Sequence, residues 1–279
     1  EGRELWAVDV LERFEGRGIT WGLSECVLVD GPRVIVTPGG RKALVAALDR
    51  RDGRTLWTTP ALGEDQASHA SPILLSHAGR RLIVQCSSHH GFGVDAETGR
   101  LLWTVPLRNQ YGVNTATPAF ATGCVYYVTP YGEEGRCYRL EAAADGGIDA
   151  RRLWTCSLDT VTGSSIVLDG VLYAGGYKRS KWWFALDWAT GQTRSESKDF
   201  TTGAAVYADG RLYVFDERGA VGLVGPDGGR MRTVGRFQLL APGTRDAWAH
   251  PVVCRGRLYL RHHDALWCFD VAARETSEP

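Results

Sequence analysis

The stretch Asp246-Ala247-Trp248-Ala249-His250-Pro251 carries the residue types best suited to chemistry. In an extended chain alternate side chains share a face, so Asp246, Trp248 and His250 are expected to project together. A carboxylate would then orient an imidazole beside an aromatic platform. Two readings stand: a ligand contact or acid–base pair, or a hydrogen-bonded network that only stiffens its loop. Glu25 is the second candidate, either a channel-facing carboxylate with a perturbed pKa or the partner of an arginine. His89-His90 and His262-His263 raise metal binding. Adjacent residues on a strand face opposite ways, so one member of each pair contributes at most, and no Asp, Glu or Cys stands at ligand spacing; no metal site is expected. The basic, aromatic run Lys178 to Trp183 fits either a polyanion or sugar grip or a solvated loop over a core tryptophan. The sequence contains no G-x-S-x-G, H-E-x-x-H or P-loop pattern, and no residue is assigned a catalytic role.

Composition narrows the partners. Lys and Arg number 32 against 32 Asp and Glu, so no overall field draws in nucleic acid or an anionic membrane. No run reaches the ~18 apolar residues of a spanning helix, and no membrane insertion is expected. The seven cysteines form no C-x-x-C pair and read mostly as small buried hydrophobes. The chain opens on Glu1 without a signal peptide, as a mature product or a piece of something longer would.

The elements that must position these residues follow from a repeat. GVDAETGRLLWTVP (Gly93 to Pro106) is matched by ALDRRDGRTLWTTP (Ala47 to Pro60), with Asp, Gly and Trp at identical offsets. Worn copies run from Phe184 to Ser195 and from Gly222 to Val234. Each follows a pair of apolar runs joined by a glycine-bearing turn, and three of those turns are Asp-Gly, at Asp30, Asp169 and Asp209. Aligning the turns gives one equivalent position per unit: Glu25, Ser71, Thr117, Ser164, Ala204 and His250, with steps of 46, 46, 47, 40 and 46 residues. Four short strands at that period predict an all-β propeller with six visible blades, near 20–60, 67–107, 114–159, 162–199, 202–240 and 247–272. The whole chain, 1–279, reads as a single propeller domain, either a closed six-bladed ring or a fragment of a larger, eight-bladed one. Residues 1–10, EGRELWAVDV, match only the outer half of the hairpin and are expected to pair as a strand with the last blade, closing the ring.

On this scheme His69 and His250 fall between blades, and His89, His90, His262 and His263 fall between second and third strands of a blade, all on one face. Trp21, Trp248, Tyr111, Tyr131, Tyr177, Asn114 and Asp246 join them. Loops on a rigid ring are where binding sites are usually placed. The expected ligand surface comprises Trp21, Glu25, His69, Ser71, Asn114, Thr117, Asp246, Trp248 and His250.

The hairpin A-x-D-x-x-T-G-x-x-x-W, present as Val94 to Trp103 and Ala47 to Trp57, resembles the tryptophan-docking repeat of quinoprotein-type propellers. Those include PQQ-dependent alcohol dehydrogenases and a non-enzymatic outer-membrane assembly lipoprotein. Thr20 to Gly40 and Ala247 to Arg261 resemble bacterial PQQ-like repeat proteins, also described as polyvinyl-alcohol-dehydrogenase-like. The resemblance implies eight blades in full-length members, export to the periplasm or beyond, and structural docking roles for Trp6, Trp57, Trp103 and Trp154. It also implies PQQ with Ca²⁺ for the enzymes. The adjacent cysteines and clustered carboxylates that hold those groups are missing here, so no cofactor is expected. The expected function is a non-catalytic, monomeric binding or scaffolding propeller whose face takes a protein or polymer. The alternatives are a PQQ-dependent oxidoreductase and a polysaccharide-binding or polysaccharide-acting propeller.

Overall fold

The computed structural model describes residues 2–163 and 165–272. The chain divides into two compact units, Glu1–Val161 and Thr162–Pro279. The first holds a short helix, α1 (Val10–Phe14), and three four-stranded antiparallel sheets. These are β1 (Leu28–Asp30), β2 (Arg33–Val36), β3 (Val45–Asp49) and β4 (Thr55–Thr59), then β5 (Ile73–His77), β6 (Arg80–Cys86), β7 (His90–Asp95) and β8 (Leu101–Pro106). The third is β9 (Ala119–Ala121), β10 (Cys124–Val128), β11 (Gly135–Ala142) and β12 (Ile148–Cys156). The second unit holds β13 (Ile166–Leu168), β14 (Val171–Gly175), β15 (Trp183–Asp187) and β16 (Thr193–Ser197), then β17 (Gly203–Ala208), β18 (Arg211–Asp216), β19 (Ala220–Asp227) and β20 (Arg230–Gln238). Its last sheet is β21 (Val252–Cys254), β22 (Arg257–His262) and β23 (Ala265–Asp270). Strands neighbour in sequence order throughout, so each sheet is a propeller blade built as a meander.

The repeat is explained by turn chemistry. In the outer hairpin of the second blade, Asp95 Oδ1 accepts from the backbone of Glu97 and Thr98 and from Thr98 Oγ1. Asp187 does the same for Ala189 and Thr190. The Asp therefore folds its own turn, and the Gly that ends it, Gly99 or Gly191, has φ near 73°. The pairing of third and outer strand then slips once in each of the five complete blades, at Ala47/Leu48, Gly93/Val94, Cys137/Tyr138, Ala185/Leu186 and Leu223/Val224. A bulge there adds twist to an edge strand. The inner hairpins at Ala78-Gly79, Thr122-Gly123, Asp169-Gly170, Asp209-Gly210 and Arg255-Gly256 all place both turn residues at positive φ. The Asp30-Gly31 turn differs because Pro32 follows. Only Gly31 has positive φ, the primed turn in which the glycine comes first.

The cores lie between consecutive sheets. Ile35, Leu44, Val45 and Ala47 pack on Ile83, Phe92 and Val94, joining the first two blades. Trp103 and Val105 pack with Val125, Tyr127, Tyr138 and Leu140 of the third. In the second unit Tyr173, Trp183 and Ala185 meet Val214, Ala220 and Val224. Phe215 and Val221 meet Leu258 and Leu260.

The expected outer strand over residues 1–10 is not formed. Residues 2–9 hold no strand, and the last sheet has three strands among the described residues. The segment instead ends where Asp9 Oδ1 accepts from Glu12 N and starts α1, whose Phe14 is buried against the first blade. Trp6 anchors it: Nε1 donates to Arg50 O at 3.0 Å, and a Cβ built on Gly53 would lie 2.6 Å from the indole. Trp57 covers Gly99 of the second blade with the same ring edge.

Candidate functional site

In the first unit the loops before the blades are laced together by side chains of the predicted surface. Cys26 N donates to Ser71 Oγ at 2.9 Å, and Ser71 N donates to Thr117 Oγ1 at 3.3 Å. Each loop is thus tied to the next, hydroxyl to amide, at the equivalent position or one residue beyond it. Asn114 is fully buried and its Nδ2 donates to the carbonyls of Ser87, Leu107 and Ser88 at 2.8, 2.9 and 3.1 Å. With its amide spent on the chain, Asn114 shapes the loops rather than touching a ligand, which corrects its place in the expected surface.

Glu25 does not pair with an arginine. Its Oε1 accepts from Thr37 N at 2.7 Å, and Oε2 faces Gln85 Nε2 at 3.4 Å. Burial raises its pKa above the ordinary 4.5, against the hydrogen bonds from Thr37 and Gln85. Gln85 itself is fully buried, bonded to Ala70 O at 2.9 Å and accepting from Cys86 N.

The densest polar cluster was not visible in the sequence. Asp65, its side chain 4% exposed, presents Oδ1 to His89 Nδ1 at 3.2 Å and Oδ2 to His90 Nδ1 at 2.9 Å. Ser87 Oγ donates to the same Oδ2. Both histidines of the pair reach one carboxylate, contrary to the expectation that one at most could share a site. They are not consecutive strand residues: 87–89 form a bend closed by Ser87 N to His90 O at 2.8 Å, and β7 begins only at His90. The overlooked signal is Asp65 itself, four residues before His69 in a loop assigned to the same face. Among the described residues no group of three or more His, Cys, Asp or Glu could hold a metal ion.

Around this cluster the surface is aromatic. The Trp21 ring lies 6.0 Å from that of His69, and Tyr111 meets Tyr131 edge to face at 4.7 Å. Trp21 is 75% and Tyr111 61% exposed, so neither ring serves the core. Trp21 and Tyr131 hold φ of 68° and 70°, each ahead of a glycine that is also left-handed. Bulky residues seldom adopt that conformation, and here it turns the rings outward.

In the second unit the structure does not assemble the Asp246–Trp248–His250 row. Asp246 takes φ 66°, and Trp248 N bonds back to Asp246 O at 2.9 Å. The backbone doubles over where an extended run was expected, so the alternation of side chains fails. Among the described residues no hydrogen bond joins Asp246 to His250. Trp248 is 51% exposed, and His250 is also open to solvent. Surrounding atoms still lower the His250 pKa, while a hydrogen bond with the Thr162 backbone works the other way. His262 and His263 touch edge to face at 4.0 Å, with His262 bonded to Arg245 O. Ser164, the fourth of the equivalent positions, lies outside the described residues. The Lys178–Trp183 stretch keeps its charges close to rings: Lys181 Nζ is 5.9 Å from the Tyr177 ring and 3.9 Å from Glu217, and Trp182 stacks along Phe184.

Meander blades with a recurring Asp-turn closed by a left-handed glycine define a PQQ-like repeat β-propeller. The chain belongs to the family described as outer membrane protein assembly factor BamB, whose pattern matches residues 1–195. It is 24% identical to outer membrane protein assembly factor BamB of Yersinia pestis, over 82% of this chain and 58% of that protein. The chain therefore spans little more than half the length of that relative. Among solved structures it is similar to BamB from Moraxella catarrhalis, with TM-score 0.63 and 17% identity over 87% of this chain and 70% of that one. It is also similar to the quinohemoprotein alcohol dehydrogenase ADHIIG from Pseudomonas putida HK5, with TM-score 0.57 and 14% identity over 86% and 50%. Likeness at those identities is likeness of fold.

The sequence has no adjacent cysteines, and Glu25 is engaged by Thr37 and Gln85.

Proposed function

We propose that this chain is a non-catalytic scaffold for the assembly of outer membrane proteins, working in the periplasm or outside the cell. It holds a protein partner on the loops that enter its blades. One observation carries the reading: the polar groups gathered on the first unit's loops, Glu25, Asp65 and Asn114, are occupied by the protein's own amides, imidazoles and carbonyls. The aromatic rings beside them are left outside. A surface of laced loops with Trp21 and Tyr111 exposed on it is built to bind, with no reacting centre. The family assignment points the same way. Trp21 and His69 are the contact residues of this surface in the first unit, joined by Tyr111 and Tyr131. Trp248 and His250 are proposed contacts in the second.

Trp6, Trp57 and Trp103 act as docking residues within the first unit, and Trp154 is a structural residue of the third blade, packed on Tyr126. Trp6 stands to Gly53 as Trp57 stands to Gly99, so residues 3–9 take the place of an outer strand ahead of β1–β4. The protein works as a monomer and needs no cofactor. The test is a refolding assay in which an unfolded outer-membrane β-barrel protein is diluted from urea into liposomes. The chain should raise the folded yield, and Trp21→Ala with Tyr111→Ala should abolish that gain without changing Tm. An unchanged yield with the wild-type chain would remove the reading.

A further inference from the structure

Two features of the first unit's loop surface select the same kind of partner. The first is charge. Loops 15–27, 37–44, 61–70, 107–117, 129–134 and 157–161 contain seven carboxylates, Glu15, Glu25, Glu64, Asp65, Glu133, Glu134 and Asp159, against four cations, Arg17, Arg41, Lys42 and Arg108, of which Arg41 and Lys42 are paired with Glu15. Asp65 and Asp159 are buried and internally bonded, and Glu134 lies 3.9 Å from Arg136, so they supply field more than contact. Glu64 is exposed and Glu133 half-exposed.

The second feature is the rings. Trp21 and Tyr111 offer their faces to solvent, and an aromatic face attracts a cation. They belong to one continuous surface. Trp21 contacts His69, His69 N donates to Asn114 O, and Asn114 Nδ2 holds Ser88 O beside His89. A Cβ on Gly112 would lie 3.4 Å from His89 Nε2, which brings the Tyr111 loop onto the same patch.

Beside the rings, Nε2 of His69 is buried and without a hydrogen-bond partner. Ser24 Oγ lies 3.2 Å from Nδ1 of the same ring, and burial lowers the ring's pKa. A buried polar atom without a partner is costly. Thr129 Oγ1, fully buried two residues before Tyr131, is likewise unpartnered.

Resting on the reading of this face as a protein-binding surface, we propose that its partner presents an extended segment carrying arginine or lysine. The cationic side chains lie on Trp21 and Tyr111. An excess of carboxylates and exposed aromatic rings both favour a positively charged group and both disfavour an anion.

The probe is a fluorescein-labelled Gly-Ser-Arg repeat peptide, titrated by anisotropy against the same peptide with Glu in place of Arg. The Arg peptide should bind, weaken as salt rises, and bind roughly two- to fivefold less tightly with each of Trp21→Ala and Tyr111→Ala. Tyr111→Phe, which keeps the ring face, should restore it, and Glu64→Gln with Glu133→Gln should lower affinity at low salt only. Equal binding of the Glu peptide, affinity unmoved by both ring variants, or displacement by a neutral cello-oligosaccharide would overturn the proposal. If the Arg peptide fails while the chain still raises the yield of folded barrel protein, this proposal falls and the scaffold reading stands. If the peptide binds as described but the folding yield is unmoved, the scaffold reading falls and the cation-binding surface remains.

Discussion

His90 Nδ1 lies 2.9 Å from Asp65 Oδ2, although 25 residues separate them, Asp65 in a loop and His90 at the start of β7. The same carboxylate holds His89 and Ser87, so the turn between β6 and β7 is fastened to the loop that precedes the blade. Replacing Asp65 by Ala leaves three donors facing an empty acceptor site. Buried groups that lose a partner cost about 1–3 kcal/mol. Asp65→Ala should therefore lower the unfolding free energy by that amount, seen as a lower urea midpoint with the slope unchanged. His90→Ala, which frees one bond to a shared acceptor, should cost less. Equal stability of Asp65→Ala and wild type would show the cluster to be incidental.

The contact of Trp57 with Gly99 makes a second prediction. Gly99 and Gly210 both have φ near 74°, so alanine is strained at either. Only at Gly99 would the new methyl strike an indole, while around Gly210 there is open space. Gly99→Ala should destabilise clearly more than Gly210→Ala in equilibrium urea unfolding. Trp103, 6% exposed in the core shared by the second and third blades, should cost about 3–5 kcal/mol on truncation to Ala.

These contrasts also show why some of the molecule was legible in the sequence and some was not. The Asp95–Gly99 turn is made by residues within five positions of one another, so its chemistry is written locally and its recurrence exposes the blades. Asp65 and His90 meet only because a blade step carries one loop over another, and no local pattern records that. Asp246 failed for the opposite reason. Its stretch alternates as a strand would, but no neighbouring strand offers partners, and the backbone turns on itself through Trp248 N to Asp246 O. At the other end RELWAVDV carries a strand's alternation, and Trp6 with the Asp9 cap holds it in another form. Placement of Trp21, His69 and Tyr111 on one face followed from blade order; the orphaned Nε2 of His69 required coordinates.

Non-catalytic action gives a third prediction. Adding PQQ with Ca²⁺ to the purified chain should give neither a bound-quinone absorption band nor reduction of a redox dye with primary alcohols or polyvinyl alcohol. Glu25 is the one half-buried carboxylate of the equivalent ring positions in the first unit, and Thr37 and Gln85 already engage it. Turnover abolished by Glu25→Gln would refute both that assignment and the scaffold reading.

The pKa of Glu25 yields a fourth. Burial raises it in the folded chain above its ordinary 4.5, so the folded state binds this proton more tightly than the unfolded state does. Its contribution to stability is then complete below 4.5 and is lost as pH rises through the folded value. Most Asp and Glu residues that gain a charged partner behave oppositely, so the wild-type profile alone will not isolate it. The difference profile between wild type and Glu25→Gln will. The amide keeps an oxygen for Thr37 N and sets an NH₂ against Gln85 Nε2 across a contact that is already long at 3.4 Å. Urea midpoints measured from pH 4 upward should show the variant gaining on wild type as pH rises, and then running parallel to it. A variant that loses ground with rising pH would mean that the Glu25 carboxylate is stabilised by its surroundings, and that Thr37 and Gln85 outweigh its burial.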